Sequence, residues 1–145
     1  MNKKNISIYF HSENTSFVLK QKTSIKLWLL NVLKKENKQP GEINYIFCDD
    51  EHLLHINQTY LKHNTLTDII TFDYSESNIL SGDIFISIER VKENAKKFQV
   101  SFEDELRRVM VHGILHLAGY KDKTKQAKSQ MTRKEDCYLA LFDKE

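Results

Sequence analysis

Cysteine, proline and glycine are scarce in this chain of 145 residues, which carries two, one and four of them. Two cysteines as far apart as Cys48 and Cys137, with no Cys-x-x-Cys, exclude a disulfide framework. Both read as buried free thiols. So little glycine and proline leaves no low-complexity tract and no linker-like shift in composition, and the length suits one domain over residues 1–145. Long apolar runs are also missing. The N-terminus alternates polar and apolar residues, so a membrane span or a signal peptide is not expected and a cytoplasmic location is. Nor is there a large excess of either charge. A formal net charge of +2 with a pI near 8.4 permits a nucleic-acid partner without demanding one.

Periodicity supplies the elements. Ile6, Ile8 and Phe10 alternate with polar neighbours, the period of a strand with one buried face. Ile25, Trp28, Leu29, Val32 and Leu33 form a helical stripe whose end Pro40 and Gly41 punctuate. "INYIFCD" reads as a second strand and "DDEHLLHINQTYL" as a short helix with Asp49, Asp50 and Glu51 at its positive end. "TDIITFDY" and "GDIFISIE" read as paired inner strands, with Phe72 and Phe85 in the core. A helix follows with Val91, Ala95 and Phe98 on one side. Ser101 and Asp104 resemble a capping box that opens another helix, which Gly119 stops. A last amphipathic helix begins at Met131. Strands and helices in this order predict an α+β fold, an α/β sandwich with a mixed four-stranded sheet and five helices.

The stretch "VMVHGILHLAGYKDKT" puts His112 and His116 four residues apart in the most apolar part of the chain. On a wheel of about 3.6 residues per turn, Leu106, Met110, Gly113 and Leu117 line one face, and the histidines lie together beside Val109. Val111, Ile114 and Leu115 are apolar as well, so the helix from Val109 to Ala118 is predicted to be buried all round. A buried imidazole is costly unless each nitrogen is bonded. One metal ion meets that demand for two rings, because histidines at i and i+4 face the same way. A catalytic zinc usually takes a third protein ligand, and the Gly119 break brings Asp122 into range as that donor. Two histidines satisfied without an ion are the competing reading. Gly113 stands where the metalloprotease pattern His-Glu-x-x-His carries its base, which disfavours a protease.

"HGILHLAGYKD" resembles the signature His-Gly-x-Leu-His-Leu-x-Gly-Tyr-Asp-His of the YbeY family of bacterial endoribonucleases, matching from His112 to Tyr120. "INQTYLKHNTLTDIITF" resembles the family segment ending Thr-Asp-Val-Leu-Ser-Phe, and "SGDIFISIERVKENA" its Gly-Asp-Ile strand and following helix. The resemblance implies a metal-dependent hydrolase that cuts single-stranded RNA, acting in ribosomal RNA maturation at the small-subunit 3′ end and in ribosome quality control. It implies three histidine ligands. His112 and His116 carry over, and the third falls at Asp122; a second departure is Leu61, where the family commonly has an arginine. A carboxylate in place of the third imidazole lowers the net charge at the ion and makes bound water less acidic. Zinc is the favoured single ion, with other divalent transition metals compatible with two histidines and a carboxylate.

On that implied chemistry, Lys62, Arg90 and Lys121 become candidates for substrate binding, together with Lys92, Lys96, Lys97 and Lys123. Asp68 is the candidate catalytic acid, with a turn or capping role as its structural alternative. Tyr120 either stacks on a base or packs under the loop, and His52, His55 and His63 read as partly exposed rather than ligating. The expected partners are single-stranded RNA, ribosomal RNA or the ribosome, with neither DNA nor membrane. A non-catalytic ribosome-associated RNA-binding factor with a structural metal is the alternative, and a hydrolase of small molecules or peptides a third reading.

Overall fold

The computed structural model describes residues 7–63 and 65–143. Ile8 is buried and Tyr9 exposed in β1 (Ser7–Ser12), the expected alternation; Ile6 lies outside the described residues. α1 (Lys22–Lys35) buries the stripe Ile25, Trp28, Leu29, Val32 and Leu33. β2 (Gln39–Cys48) starts earlier than expected, because Pro40 and Gly41 lie inside the strand and not at a break after α1. The pairing of β2 with β4 shifts register between Pro40 and Ile43, and such a bulge tolerates a missing N–H and a missing side chain. α2 (Asp50–Ile56) is capped by Asp49, whose side chain accepts from the His52 N–H at 2.8 Å, and passes into a π-helical stretch, Asn57–Leu61.

β3 (Ile69–Asp73) and β4 (Ile79–Ser87) pair antiparallel, while β2 runs parallel to both β1 and β4, in the order β1-β2-β4-β3. β3 is therefore an edge strand and not an inner one. The rest of the chain is α3 (Ile88–Phe98), α4 (Phe102–Leu117) and α5 (Lys125–Asp143). α5 begins before Met131 because Thr124 Oγ1 accepts from the Ala127 N–H at 3.0 Å and starts the helix there.

Side chains of α1, α4 and α5 join Ile43, Tyr45, Phe47, Ile84 and Ile86 in the main core. Leu53 and Ile56 of α2 cover the other side of the sheet with Cys48 and Ile70, flanked by the half-buried Phe72 and Phe85, which are less enclosed than expected. Two buried hydrogen bonds fasten the helices: Tyr45 Oη donates to Met110 O at 2.7 Å, and Trp28 Nε1 donates to Tyr138 O at 2.7 Å. Two further expectations are corrected. Cys48 is buried but Cys137 is exposed, and Phe98 stays open while Val91 and Ala95 are covered. Among the described residues no helix is long and apolar enough to cross a membrane.

Gly82 is where β4 lies closest to the backbone of β3, with Leu117 of α4 above it. A Cβ there would lie 2.5 Å from Phe72 O, backbone that cannot step aside. Gly82→Ala is expected to lose about 1–3 kcal/mol of stability in urea unfolding, and an unchanged midpoint would contradict this packing.

Candidate functional site

α4 ends in a turn that its own sequence dictates. Gly119, at φ +109°, reverses the chain; its N–H donates to His116 O at 3.1 Å and the Tyr120 N–H to Leu115 O at 3.0 Å, the double closure of a Schellman motif. The Tyr120 carbonyl thereby comes back to His116 Nδ1, 3.2 Å away. A carbonyl only accepts, so Nδ1 carries the proton and Nε2 is left with its lone pair. His112 is oriented the same way from the other side, its Nδ1 lying 2.7 Å from Glu135 Oε2 on α5. The two rings are nearly parallel, 15° between planes and 6.0 Å between centroids.

His112 Nε2 faces Asp122 Oδ2 at 3.3 Å. Burial disfavours charge on His112, but the Glu135 hydrogen bond and the nearby Glu135, Asp122 and Asp68 charges outweigh it and raise its pKa above the ordinary histidine value. As the side chains stand, no three His, Cys, Asp or Glu groups among the described residues converge as a preformed ion site. The donor set nevertheless fits a divalent transition metal: two imidazole nitrogens and one carboxylate, each ring backed by an acceptor on its second nitrogen. Ligand atoms on a tetrahedral ion with bonds of ~2.05 Å stand about 3.3 Å apart, which the His112–Asp122 spacing meets.

The loop is held from below by a half-buried carboxylate at the end of α1. Glu36 accepts from Tyr120 Oη at 2.9 Å, from Lys134 Nζ at 3.1 Å and from Tyr138 Oη. Burial alone would raise its pKa, and these three donors together bring it below the usual carboxylate value. Tyr120 thus packs under the loop, the second of its two expected roles.

A cleft of about 470 Å³ opens beside the histidines and is lined by His112, His116, Asp122 and Asp68, as well as by Glu105, Arg108, Lys128 and Glu135. His116 is exposed, so α4 is not buried all round as its composition suggested. The other expected substrate residues are elsewhere. Lys62 is exposed at the end of the π-helical stretch, Arg90 is paired with Asp50 at 3.2 Å, and Lys121 is exposed outside the cleft lining. Asp68 is half-buried and accepts a long 3.4 Å hydrogen bond from Asn94; burial raises its pKa.

Sequence reasoning missed Glu105, Arg108, Glu135 and Glu36. Arg108 donates to Glu135 at 2.8 Å and to Asp136, and so links α4 to the acid behind His112. A signal existed for two of them. Glu105 lies two helical turns before His112 on the same face, and Glu135 sits among Met131 and Tyr138 on the buried stripe of α5. An acid on an apolar stripe calls for a partner.

Fold and cleft together define a class: an α+β enzyme domain whose polar groups gather along one helix and the loop that follows it. The family described as endoribonuclease YbeY matches residues 7–143. The endoribonuclease YbeY of Flavobacterium psychrophilum is 57% identical over 126 residues, 87% of this chain and 90% of the relative. That of Karelsulcia muelleri is 51% identical over 130 residues, 90% and 92% of the two chains. The solution structure of TM1509 from Thermotoga maritima is similar with a TM-score of 0.66 at 29% identity, covering 93% of this chain and 88% of that one. The chain belongs to the endoribonuclease YbeY family.

Burial, with Asp68 and Glu135 nearby, pushes the Glu105 carboxyl from the usual 4.5 up to about 7, while Arg108 pulls the other way. The folded state therefore keeps a proton that the unfolded chain has lost. Stability from this group is full below about 4.5 and falls as the pH rises to about 7. Glu105→Gln is expected to flatten that fall and to add about 1–3 kcal/mol above neutrality. Parallel pH slopes for the two proteins in urea unfolding from acid to neutral pH would contradict this.

Proposed function

We propose that this chain is a metal-dependent endoribonuclease that cuts single-stranded RNA during ribosomal RNA maturation, at the small-subunit 3′ end. One divalent ion, zinc by preference, is held by His112, His116 and Asp122. The observation that carries the reading is the engagement of both Nδ1 atoms by Glu135 and by the Tyr120 carbonyl, which leaves two Nε2 lone pairs on one helix face beside a carboxylate. The name of the relatives supplies the reaction class.

When bound, such an ion supplies Lewis acidity toward a phosphoryl oxygen and a more acidic water. The chain's own residues do the rest. Glu135 fixes the ring and tautomer of His112, and the Schellman turn does the same for His116. Arg108, whose guanidinium is taken up by Glu135 and Asp136, lines the cleft and braces the acid behind His112. Asp68 is the proton acceptor, since burial raises its affinity for a proton above that of an exposed carboxylate. Lys128 lines the cleft, and Lys121, Lys123 and Lys125 are exposed on the same loop and helix start, a strip of positive charge for the RNA backbone. The partner is then ribosomal RNA or the ribosome in the cytoplasm.

The test is cleavage of a labelled single-stranded RNA from the small-subunit 3′ end by metal-loaded protein. His116→Ala and Asp122→Ala, purified identically and shown to be folded, are expected to cut at least about 100-fold more slowly. Equal cleavage by Asp122→Ala would remove that ligand. RNA binding without cleavage by the wild type would favour the non-catalytic factor.

A further inference from the structure

The cleft does not end at the histidines. A second cavity of about 310 Å³ continues from it, and the two share Phe98, Glu105 and Arg108 in their walls. Two of these residues lack what a folded protein normally provides. Glu105 is 5% exposed, and among the described residues no donor reaches its carboxyl group; the one cation facing it, Arg108, spends its guanidinium on Glu135 and Asp136. Its other charged neighbours, Asp68 and Glu135, are acids. A buried carboxyl without protein donors is costly to ionise, and its place in a cavity wall leaves it open to the donors of a ligand.

Phe98 has the complementary deficit. It ends the apolar stripe of α3, yet 55% of its surface is exposed, and among the described residues Lys97, with its ammonium 5.8 Å from the ring centre, is the one cation over its face. An open aromatic face beside a groove that takes single-stranded RNA is a stacking platform. Flat rings that stack and also carry donors along one edge are nucleobases.

The four bases differ in what that edge offers. Guanine presents two adjacent N–H donors, N1–H and the exocyclic amino group, which match the two oxygens of the Glu105 carboxylate once it has lost its proton, above about pH 7. Adenine and cytosine pair a donor with an acceptor, and uracil sets one N–H between two carbonyls, so each turns an acceptor toward an acceptor. We propose that Phe98 and Glu105 form a base-recognition subsite beside the histidine centre, in which Phe98 stacks on a guanine and Glu105 accepts from its N1–H and amino group. The subsite rests on the RNA reading above and specifies which nucleotide is held next to the cut.

Two arms test it. In the first, anisotropy at about pH 8, where Glu105 is ionised, measures binding of fluorescent UUGUU, UUIUU and UUAUU to the His116→Ala protein, where I is inosine, which keeps N1–H but lacks the amino group. UUGUU is expected to bind about 10-fold more tightly than either, with the difference lost in the double variants His116→Ala/Glu105→Gln and His116→Ala/Phe98→Ala. In the second arm, cut sites in a random-sequence single-stranded pool treated with metal-loaded protein are sequenced. Guanine is expected at one fixed position relative to the cut in the wild type and not in Glu105→Gln, whose isosteric side chain keeps the packing of α4.

Equal binding of guanosine and inosine oligonucleotides, or an unchanged cut-site distribution in Glu105→Gln, would overturn the subsite. Failure of the wild type to cut, with guanine-selective binding intact, would overturn the nuclease reading and leave the subsite standing.

Discussion

An imidazole on a largely covered helix must have its nitrogens satisfied, and here one hydrogen bond of 2.7 Å from His112 to Glu135 organises everything around it. Glu135 is 6% exposed and is held in turn by the half-buried Arg108, so α4 and α5 are joined through an Arg–Glu–His chain with a buried acid at its centre rather than by apolar contact alone. Breaking one member would strand the charge of another, the costly way to disturb a buried pair. The same chain decides which histidine nitrogen faces the cleft. The residues that tie α4 to α5 are thus the ones that orient His112 toward the cleft.

A second constraint acts on the loop. Asp122 faces His112 because Gly119 adopts a backbone angle that L side chains rarely take, and because Tyr120 is tied to Glu36 across the molecule. Glu36 sits at the end of α1, so the first helix of the fold sets the height of the loop. A carboxylate with three donors loses little by burial, whereas Glu105, with none, is held close to neutral. Two covered acids of the same type, one half-buried and one buried, differ in charge through the hydrogen bonds they receive.

Much of this was legible in the sequence where the determinants are local. The period of α1, the Ser101 cap, the Gly119 stop and the shared direction of His112 and His116 depend on residues within a turn or two of each other, and all appear in the structure. What depends on long-range pairing was not legible. Pro40 and Gly41 look like a helix terminator until β4 pairs across a bulge, and β3 looks like an inner strand until the sheet order puts it at the edge. The acids behind the histidines belong to the same class. Glu135 is 23 residues from His112 and Tyr120 is 84 from Glu36; the stripe of α5 marks Glu135 as needing a partner, but no local pattern says which residue it is. Arg108 and Lys128 stand in the cleft wall, which nearness in sequence did not suggest, while Lys62, Arg90 and Lys121 lie outside it.

The central claim is that His112, His116 and Asp122 hold one ion through two imidazoles and a carboxylate. X-ray absorption spectroscopy of the zinc-loaded protein addresses it directly, because imidazole rings give multiple-scattering features that oxygen donors do not. The account predicts two imidazole nitrogens at about 2.0–2.1 Å, completed by oxygen donors, with the imidazole signal halved in His116→Ala. A spectrum with sulfur at about 2.3 Å, or one unchanged by His116→Ala, would place the ion elsewhere and contradict the account.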